Sequence, residues 1–385
     1  MGKFFKIMMV SSLLLGASQQ LVTSEELAEN SDSAILIEVE TGQILYEKNA
    51  DELLEPASMT KMMAMYLVLE AIEAGHLSWD QLLTVSEHAA GLGGTQIYLE
   101  PGEEMSVHDL FLSVAISSAN DSITVLAEAV SGTEAEFVAL MNERAREFGM
   151  TNTDFVNPTG LPEEGGLSTA RDMAILAQRL VIDFPEVVEF TSIYEDYVRE
   201  DQDEPFWLVN TNKLVRYVEG LDGLKTGYTS EADYCLAATA KRGDMRVVAV
   251  VMGADRSDLR NREIAQLMEY AFARYEIHPR IGSGEVVGTG ENILAEGRRF
   301  DVVTKDSVVL LHEVGEHLGE GSYEIFIDTE LVFPLEPGDV VGRLIYHIDG
   351  EPHQEVELTV TETIEKTSFV SLWMQIVGQL LFGRS

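Results

Sequence analysis

Eight consecutive apolar residues, Met62 to Leu69, follow Ser58 and Lys61 without a polar interruption. Pro56 before them and Gly75 after them set the ends of a helix over residues 58–74. A helix that is apolar on every face cannot rest on a surface with one side wet; it has to run through the middle of a domain. Its methionines are gap-filling core residues rather than a cofactor box. The rest of the chain must therefore surround this helix, and Lys61 stands where the buried stretch begins.

The surrounding elements follow from periodicity and turn signals. Ala34 to Glu40 and Gln43 to Tyr46 read as strands about a Thr41-Gly42 turn. Helical patterns cover Val107–Ile116, Asp121–Val130, Glu134–Phe148 and Thr169–Leu180. Leu224 to Tyr228 reads as a strand, Tyr234–Ala240 and Arg246–Met252 as a hairpin about Lys241–Asp244, and Asn261–Tyr275 as a closing helix. Strands at both ends with helices between them predict an α/β (α+β) domain, an antiparallel sheet with an inserted helical region. The texture changes at Ile277-His278-Pro279. Short β-rich runs at Ser307–His312, Tyr323–Ile327, Val341–His347 and Glu355–Val360 then predict a small all-β domain. The glycine-rich Gly282–Gly290 stretch reads as a turn, because its spacing is not a dinucleotide fingerprint.

Charge and the two ends bear on location. The chain carries 66 acidic against 26 basic residues, a formal charge of −40. That excludes the basic footprint a nucleic-acid partner needs. It fits a strongly solvated surface, or an adaptation to saline or alkaline surroundings. Cys235 is the single cysteine, set in an apolar run, so no internal disulfide exists and the thiol reads as structural. Lys3 and Lys6, the mostly apolar Ile7–Leu15 and Gly16-Ala17-Ser18 read as a secretory signal peptide over 1–28, with cleavage between Ala17 and Ala28. At the other end Phe369, Leu372, Trp373, Ile376, Val377, Leu380 and Leu381 form one stripe of a helix over 364–385. It is short for a membrane span and suits an interfacial anchor; docking on the protein's own core or a dimer contact are the other uses of such a stripe.

Three motifs carry the chemistry: Ser58-Met59-Thr60-Lys61, Ser118-Ala119-Asn120 and Lys225-Thr226-Gly227. A helix N-terminus offers Ser58 free N–H groups and a favourable dipole for developing negative charge. Lys61 at i+3 lies on the same face and becomes a base if burial and a neighbouring cation, Lys225, lower its pKa. Ser118 can relay a proton, and Asn120 can hold both Lys61 and a substrate amide. Thr226 and Gly227 suit a strand edge along which an extended peptide lies. No metal or other cofactor is required. The His312…His317 pair is spaced i, i+5, off one helix face and in β and turn composition, so it does not read as a zinc motif.

These motifs, with Thr41–Ala50, Pro56–Lys61, Asn157–Leu161, Ser168–Asp172 and Asp222–Thr229, resemble low-molecular-weight penicillin-binding proteins of the D-alanyl-D-alanine carboxypeptidase family. The resemblance covers about residues 33–385. It implies a penicillin-binding, β-lactamase-like transpeptidase fold over 29–277, the small β domain over 278–363 and the terminal helix beyond. It implies that Ser58 attacks a D-Ala–D-Ala peptide bond of a peptidoglycan stem peptide, with Lys61 as base, Ser118 as shuttle and Asn120 as positioning residue. Lys225 and Thr226 would bind the terminal carboxylate with help from Arg260, and the N–H groups of Ser58 and Tyr228, beside Gly227, would hold the oxyanion. β-Lactams would acylate Ser58, and the enzyme would sit on the outer face of the cytoplasmic membrane. Ala119 departs from the glycine common in the family.

A class A β-lactamase shares the three motif types, but no Glu-x-x-Leu-Asn run lies between Asn120 and Lys225. An endopeptidase or transpeptidase on the same fold, and a non-catalytic peptidoglycan-binding scaffold, are the remaining alternatives.

Overall fold

The computed structural model describes residues 27–200 and 205–382. Most of the stretch read as a signal peptide lies outside them. Its last two residues, Leu27 and Ala28, are buried against the sheet.

The first half of the fold is built on a five-stranded antiparallel sheet. Its order is Ile44–Lys48, Ser33–Glu38, Met245–Ala254, Asp233–Arg242 and Leu221–Thr229. Antiparallel sheets commonly leave one face to water and then alternate in polarity. Here both faces are covered, which explains why Val247 to Met252 is apolar without a break. Ile35, Val248, Val250 and Met252 face the helical region, while Leu36, Val247, Ala249 and Val251 face the helix Ser257–Arg274. The sheet is thus the middle of three layers.

The all-apolar helix is Lys61–Glu73, preceded by a 3-10 turn over Ala57–Thr60. The reading of one helix from Ser58 is corrected at its first turn, so that Ser58 sits in the tight turn and Lys61 opens the α-helix. Every residue from Lys61 to Leu69 is buried, as is Ala71. The helices Asn120–Ser131, Glu134–Glu147 and Ala170–Asp183 pack against it, and Val107–Ser117 packs on Asn120–Ser131. Ser106, Thr133 and Thr169 cap three of them by accepting a bond from the N–H three residues on. Two short strand pairs, Leu82–Thr84 with Glu104–Ser106 and Glu195–Val198 with Phe206–Val209, were not legible as periodic patterns.

Beyond the helix Ser257–Arg274 the chain turns directly into the strand Tyr275–Ile281, which pairs with Val308–Glu313. The boundary expected at 277/278 falls inside that strand. A second five-stranded sheet runs in the order Val286–Glu291, Arg299–Thr304, Glu351–Thr359, Val340–Ile348, Gly321–Ile327. It closes on its own core of Phe300, Val302, Leu310, Val341, Leu344 and Leu358. The glycine-rich stretch is a turn only at its start. From Val286 it is a strand, paired with Arg299–Thr304, where Gly290 leaves room for the Phe300 ring. The last helix spans Phe369–Phe382, with Phe369, Val370, Trp373 and Met374 exposed. Among the described residues no helix is long and apolar enough to cross a membrane.

Candidate active site

Lys61 is the pivot. Its side chain is fully buried, and its Nζ donates to Ser58 Oγ at 3.2 Å, Asn120 Oδ1 at 2.7 Å and the Thr159 carbonyl at 2.6 Å. An ammonium spends its three donors on these oxygens, whereas the neutral amine donates to the two carbonyl oxygens and accepts the Ser58 O–H with its lone pair. Burial first, and the charge of Lys225 second, hold its pKa well below the usual lysine value, against an opposing pull from Asp121. Asp121 is itself buried and accepts from the N–H groups of Ile97, Leu99 and Ser122, so its charge is tied to the backbone around the site.

Two positions in this region hold unusual backbone. Ala57, next to Ser58, has φ +46°, and Ser118 has φ +67°. Left-handed residues with a Cβ are uncommon and costly by about 1–2 kcal/mol each. At Ser118 the left-handed turn ends the helix Val107–Ser117, and Asn120 then opens the helix Asn120–Ser131. Its N–H donates to the Thr95 carbonyl and its Nδ2 to that of Gly93, which aims Oδ1 at Lys61. Ser118 Oγ makes no hydrogen bond to another described residue; the break between the helices presents the side chain beside Asn120.

The third motif lies on the sheet edge. Lys225 is 1% exposed, its Nζ donates to the Thr226 carbonyl at 3.1 Å, and its pKa is lowered to about 7 by burial and then by the nearby Arg260. Thr226 bonds Thr211 through their hydroxyls at 2.7 Å. A Cβ on Gly227 would lie 2.8 Å from the Pro56 carbonyl oxygen, so glycine is what lets this strand press against the turn that carries Ser58. Tyr228 is exposed and stacks on Tyr234 with ring centroids 4.4 Å apart. Arg260 is buried behind the strand, donating to the Cys235 carbonyl and to Asn261 Oδ1, and burial lowers its pKa to about 10. It reaches the site through its field on Lys225 rather than as an open donor. Burial pushes the Cys235 thiol up to about 11, as a structural cysteine requires.

The fold therefore brings Ser58, Lys61 and Asn120 into direct contact and sets Lys225 close enough to depress Lys61. Sequence reasoning gave no role to Thr159 and Gly160. The Thr159 carbonyl is the closest acceptor of Lys61, and Gly160, at φ +73°, lies so near the Ala57 carbonyl that any Cβ would collide with it. The Asn157 side chain holds this loop, its Oδ1 accepting from the N–H groups of Thr159 and Gly160 and from the Thr159 hydroxyl. An Asn-Pro-Thr-Gly turn was the visible signal; its partner across the site was not.

Comparison with known proteins bears on this arrangement. Residues 19–256 match the family described as D-alanyl-D-alanine carboxypeptidase, and residues 275–366 match the C-terminal domain of penicillin-binding protein 5. The D-alanyl-D-alanine carboxypeptidase DacF of Bacillus subtilis is 41% identical over 96% of this chain and 98% of its own length. The structure of penicillin-binding protein 5 from Haemophilus influenzae superposes with a TM-score of 0.72 at 29% identity, covering 89% of this chain and 99% of that one. Penicillin-binding protein D2 of Listeria monocytogenes, solved in its ampicillin-bound form, is 37% identical, with a TM-score of 0.58 over 64% of this chain and 99% of its own.

Proposed function

This chain belongs to the D-alanyl-D-alanine carboxypeptidase family, and on that premise we propose that it removes the terminal D-alanine of peptidoglycan stem peptides through an acyl-enzyme on Ser58. The observation that carries the reading is the buried Lys61 Nζ, 3.2 Å from Ser58 Oγ with a strongly depressed pKa. A neutral amine at that place takes the hydroxyl proton as Oγ bonds to the scissile carbonyl carbon. The oxyanion is held by the N–H groups of Ser58 and Tyr228. As the C–N bond breaks, the proton passes from Lys61 by way of Ser118 to the leaving D-alanine amine. Water then attacks the ester, gives its proton back along the same route, and releases the shortened peptide with Ser58 restored. Asn120 positions both Lys61 and the substrate amide. Lys225, Thr226 and, through Lys225, Arg260 receive the substrate's terminal carboxylate.

β-Lactams enter the same site, and ring opening leaves them esterified to Ser58. The helix Phe369–Phe382, whose Phe369 and Trp373 are exposed, attaches the exported enzyme to the outer face of the cell membrane.

The test is a synthetic peptide ending in D-Ala–D-Ala, assayed for free D-alanine, with labelled penicillin mapped in parallel. One acyl group on Ser58, loss of both reactions in Ser58→Ala and near-loss in Lys61→Arg are expected, since arginine cannot deprotonate. A label on another residue, or acylation retained in Lys61→Arg, would overturn the assignment. D-Alanine released only when an amine acceptor is supplied would make the enzyme a transpeptidase instead.

A further inference from the structure

Away from the peptidase chemistry, the paired strands Tyr275–Ile281 and Val308–Glu313 gather three donor side chains on one face. Glu276 lies directly opposite His312, and His278 follows two residues after Glu276. Side chains two apart on a strand share a face, and direct or diagonal cross-strand neighbours meet there. His278 Nε2 is 3.9 Å and His312 Nε2 3.7 Å from the same carboxylate oxygen, Glu276 Oε1. One donor atom from each residue falls within 4.8 Å of the others.

His312 decides what the cluster can do. Its side chain is 9% exposed, and its Nδ1 lies 2.9 Å from the Glu313 carbonyl oxygen. A carbonyl only accepts, so Nδ1 carries a proton, and in the neutral form of the ring Nε2 presents a bare lone pair. That Nε2 is buried and has no hydrogen-bond partner among the described residues. The Glu276 oxygen at 3.7 Å is beyond hydrogen-bond distance. A buried, unsatisfied acceptor is unfavourable and rare. A histidine whose outer nitrogen is tethered to a backbone carbonyl, with the inner one free, has the arrangement metal-ligating histidines use.

We propose that Glu276, His278 and His312 form a zinc-binding site at the point where the chain leaves the peptidase domain. Two imidazoles and one carboxylate suit Zn²⁺, with water completing a tetrahedral shell. Zinc–nitrogen and zinc–oxygen bonds of about 2.0–2.2 Å require the donors to close by roughly an ångström. The imidazole rings, stacked at 14° with centroids 4.7 Å apart, must also splay so that their lone pairs converge. His278 and Glu276 are 41% and 46% exposed and can move, while His312 is held by its carbonyl. The sequence pairing of His312 with His317 is not the one the fold makes; His278, some thirty residues earlier and across the ribbon, is the partner. The ion would clip the strand emerging from the helix Ser257–Arg274 to a strand of the small β domain, without touching Ser58.

The test uses the full chain, stripped with a chelator and titrated with Zn²⁺ by calorimetry, and with Co²⁺ followed by its visible absorption. One equivalent of Zn²⁺ is expected at micromolar concentration, with a melting temperature that climbs with the logarithm of free zinc. His312→Gln should abolish binding, and His278→Ala and Glu276→Gln should each weaken it at least tenfold. Penicillin labelling of Ser58 serves as the control for folding and should be unchanged in all three. No stoichiometric zinc in the wild type, binding that survives both histidine substitutions, or equal replacement by Mg²⁺ or Ca²⁺ would overturn the proposal, the last pointing to the acidic surface alone. Should His312→Gln lose penicillin labelling, the other two variants decide the question.

Discussion

Replacing Lys225 with methionine removes a buried cation and keeps most of its stem. Lys225 binds its proton with a pKa of about 7 in the folded chain, against 10.5 for an ordinary lysine. Below pH 7 the ammonium exists in both states and the folded chain bears the whole cost of burying it. That difference converts to roughly 5 kcal/mol. Between pH 7 and 10.5 the unfolded chain holds a proton that the folded chain does not, so wild-type stability climbs with pH by about 1.4 kcal/mol per unit. Above 10.5 the cost is gone. Methionine does not titrate, so Lys225→Met should be the more stable protein at pH 6–7 and lose that advantage toward pH 10.5. The variant gives up the bond from Nζ to the Thr226 carbonyl, worth about 1 kcal/mol, which leaves a net gain of a few kcal/mol near neutrality. Urea denaturation of both proteins across this pH range measures it. A second readout is independent of stability. Lys225 is the second cause of the depressed Lys61 pKa, so the acid limb of penicillin acylation should move to higher pH in the variant. A wild type that is the more stable at pH 6–7, a difference that does not change with pH, or an unmoved acid limb would each refute the reasoning.

Gly160→Ala should lower the acylation rate at least tenfold and destabilise the fold by a few kcal/mol, because its Cβ meets the Ala57 carbonyl beside Ser58 at a left-handed φ; stopped labelling with penicillin and a thermal melt check both. With a formal charge of −40 the melting temperature should rise from low salt to molar NaCl as carboxylate repulsion is screened, and a flat or falling curve would count against it. Deleting residues 366–385 should leave peptidase activity intact and move the protein from the membrane fraction to the medium. The seven-residue stripe offers on the order of 10 kcal/mol of apolar burial before ordering costs. A truncated protein that still pellets with membranes would show that the helix is not the anchor.

The layered architecture could be read from order alone, because strands at Ala34 and Arg246 bracketing a helical run leave one antiparallel sheet as the economical solution. The all-apolar stretch from Met62 placed the first helix in the core, and the reading failed only at its first turn, where Ala57 and Pro56 bend the chain before Lys61. Residue types in the site were visible through short motifs, since Ser58 to Lys61 is a local spacing. What joins them was not. The Thr159 carbonyl on Lys61 is a contact across nearly a hundred residues, and a backbone acceptor carries no mark in the sequence. Arg260 looked like an open anion-binding residue, yet packing against Cys235 and Asn261 turns it into a buried source of field. The Val286–Glu291 strand was hidden because glycines that signal turns also let a strand pass a large ring such as Phe300.

The pairing of Ser33–Glu38 with Met245–Ala254 dictates when this protein can become itself. The two partners are roughly 200 residues apart in the chain, so the centre of the sheet cannot zip until synthesis has passed Ala254. Until then the N-terminal hairpin has an open edge, and the hairpin of Leu221–Thr229 with Asp233–Arg242, which carries Lys225, is not joined to it. A truncated or stalled chain ending before the last central strand would have all three motifs and no assembled site. Penicillin labelling of chains truncated on either side of Ala254 would therefore report the presence of a strand that carries none of the three motifs.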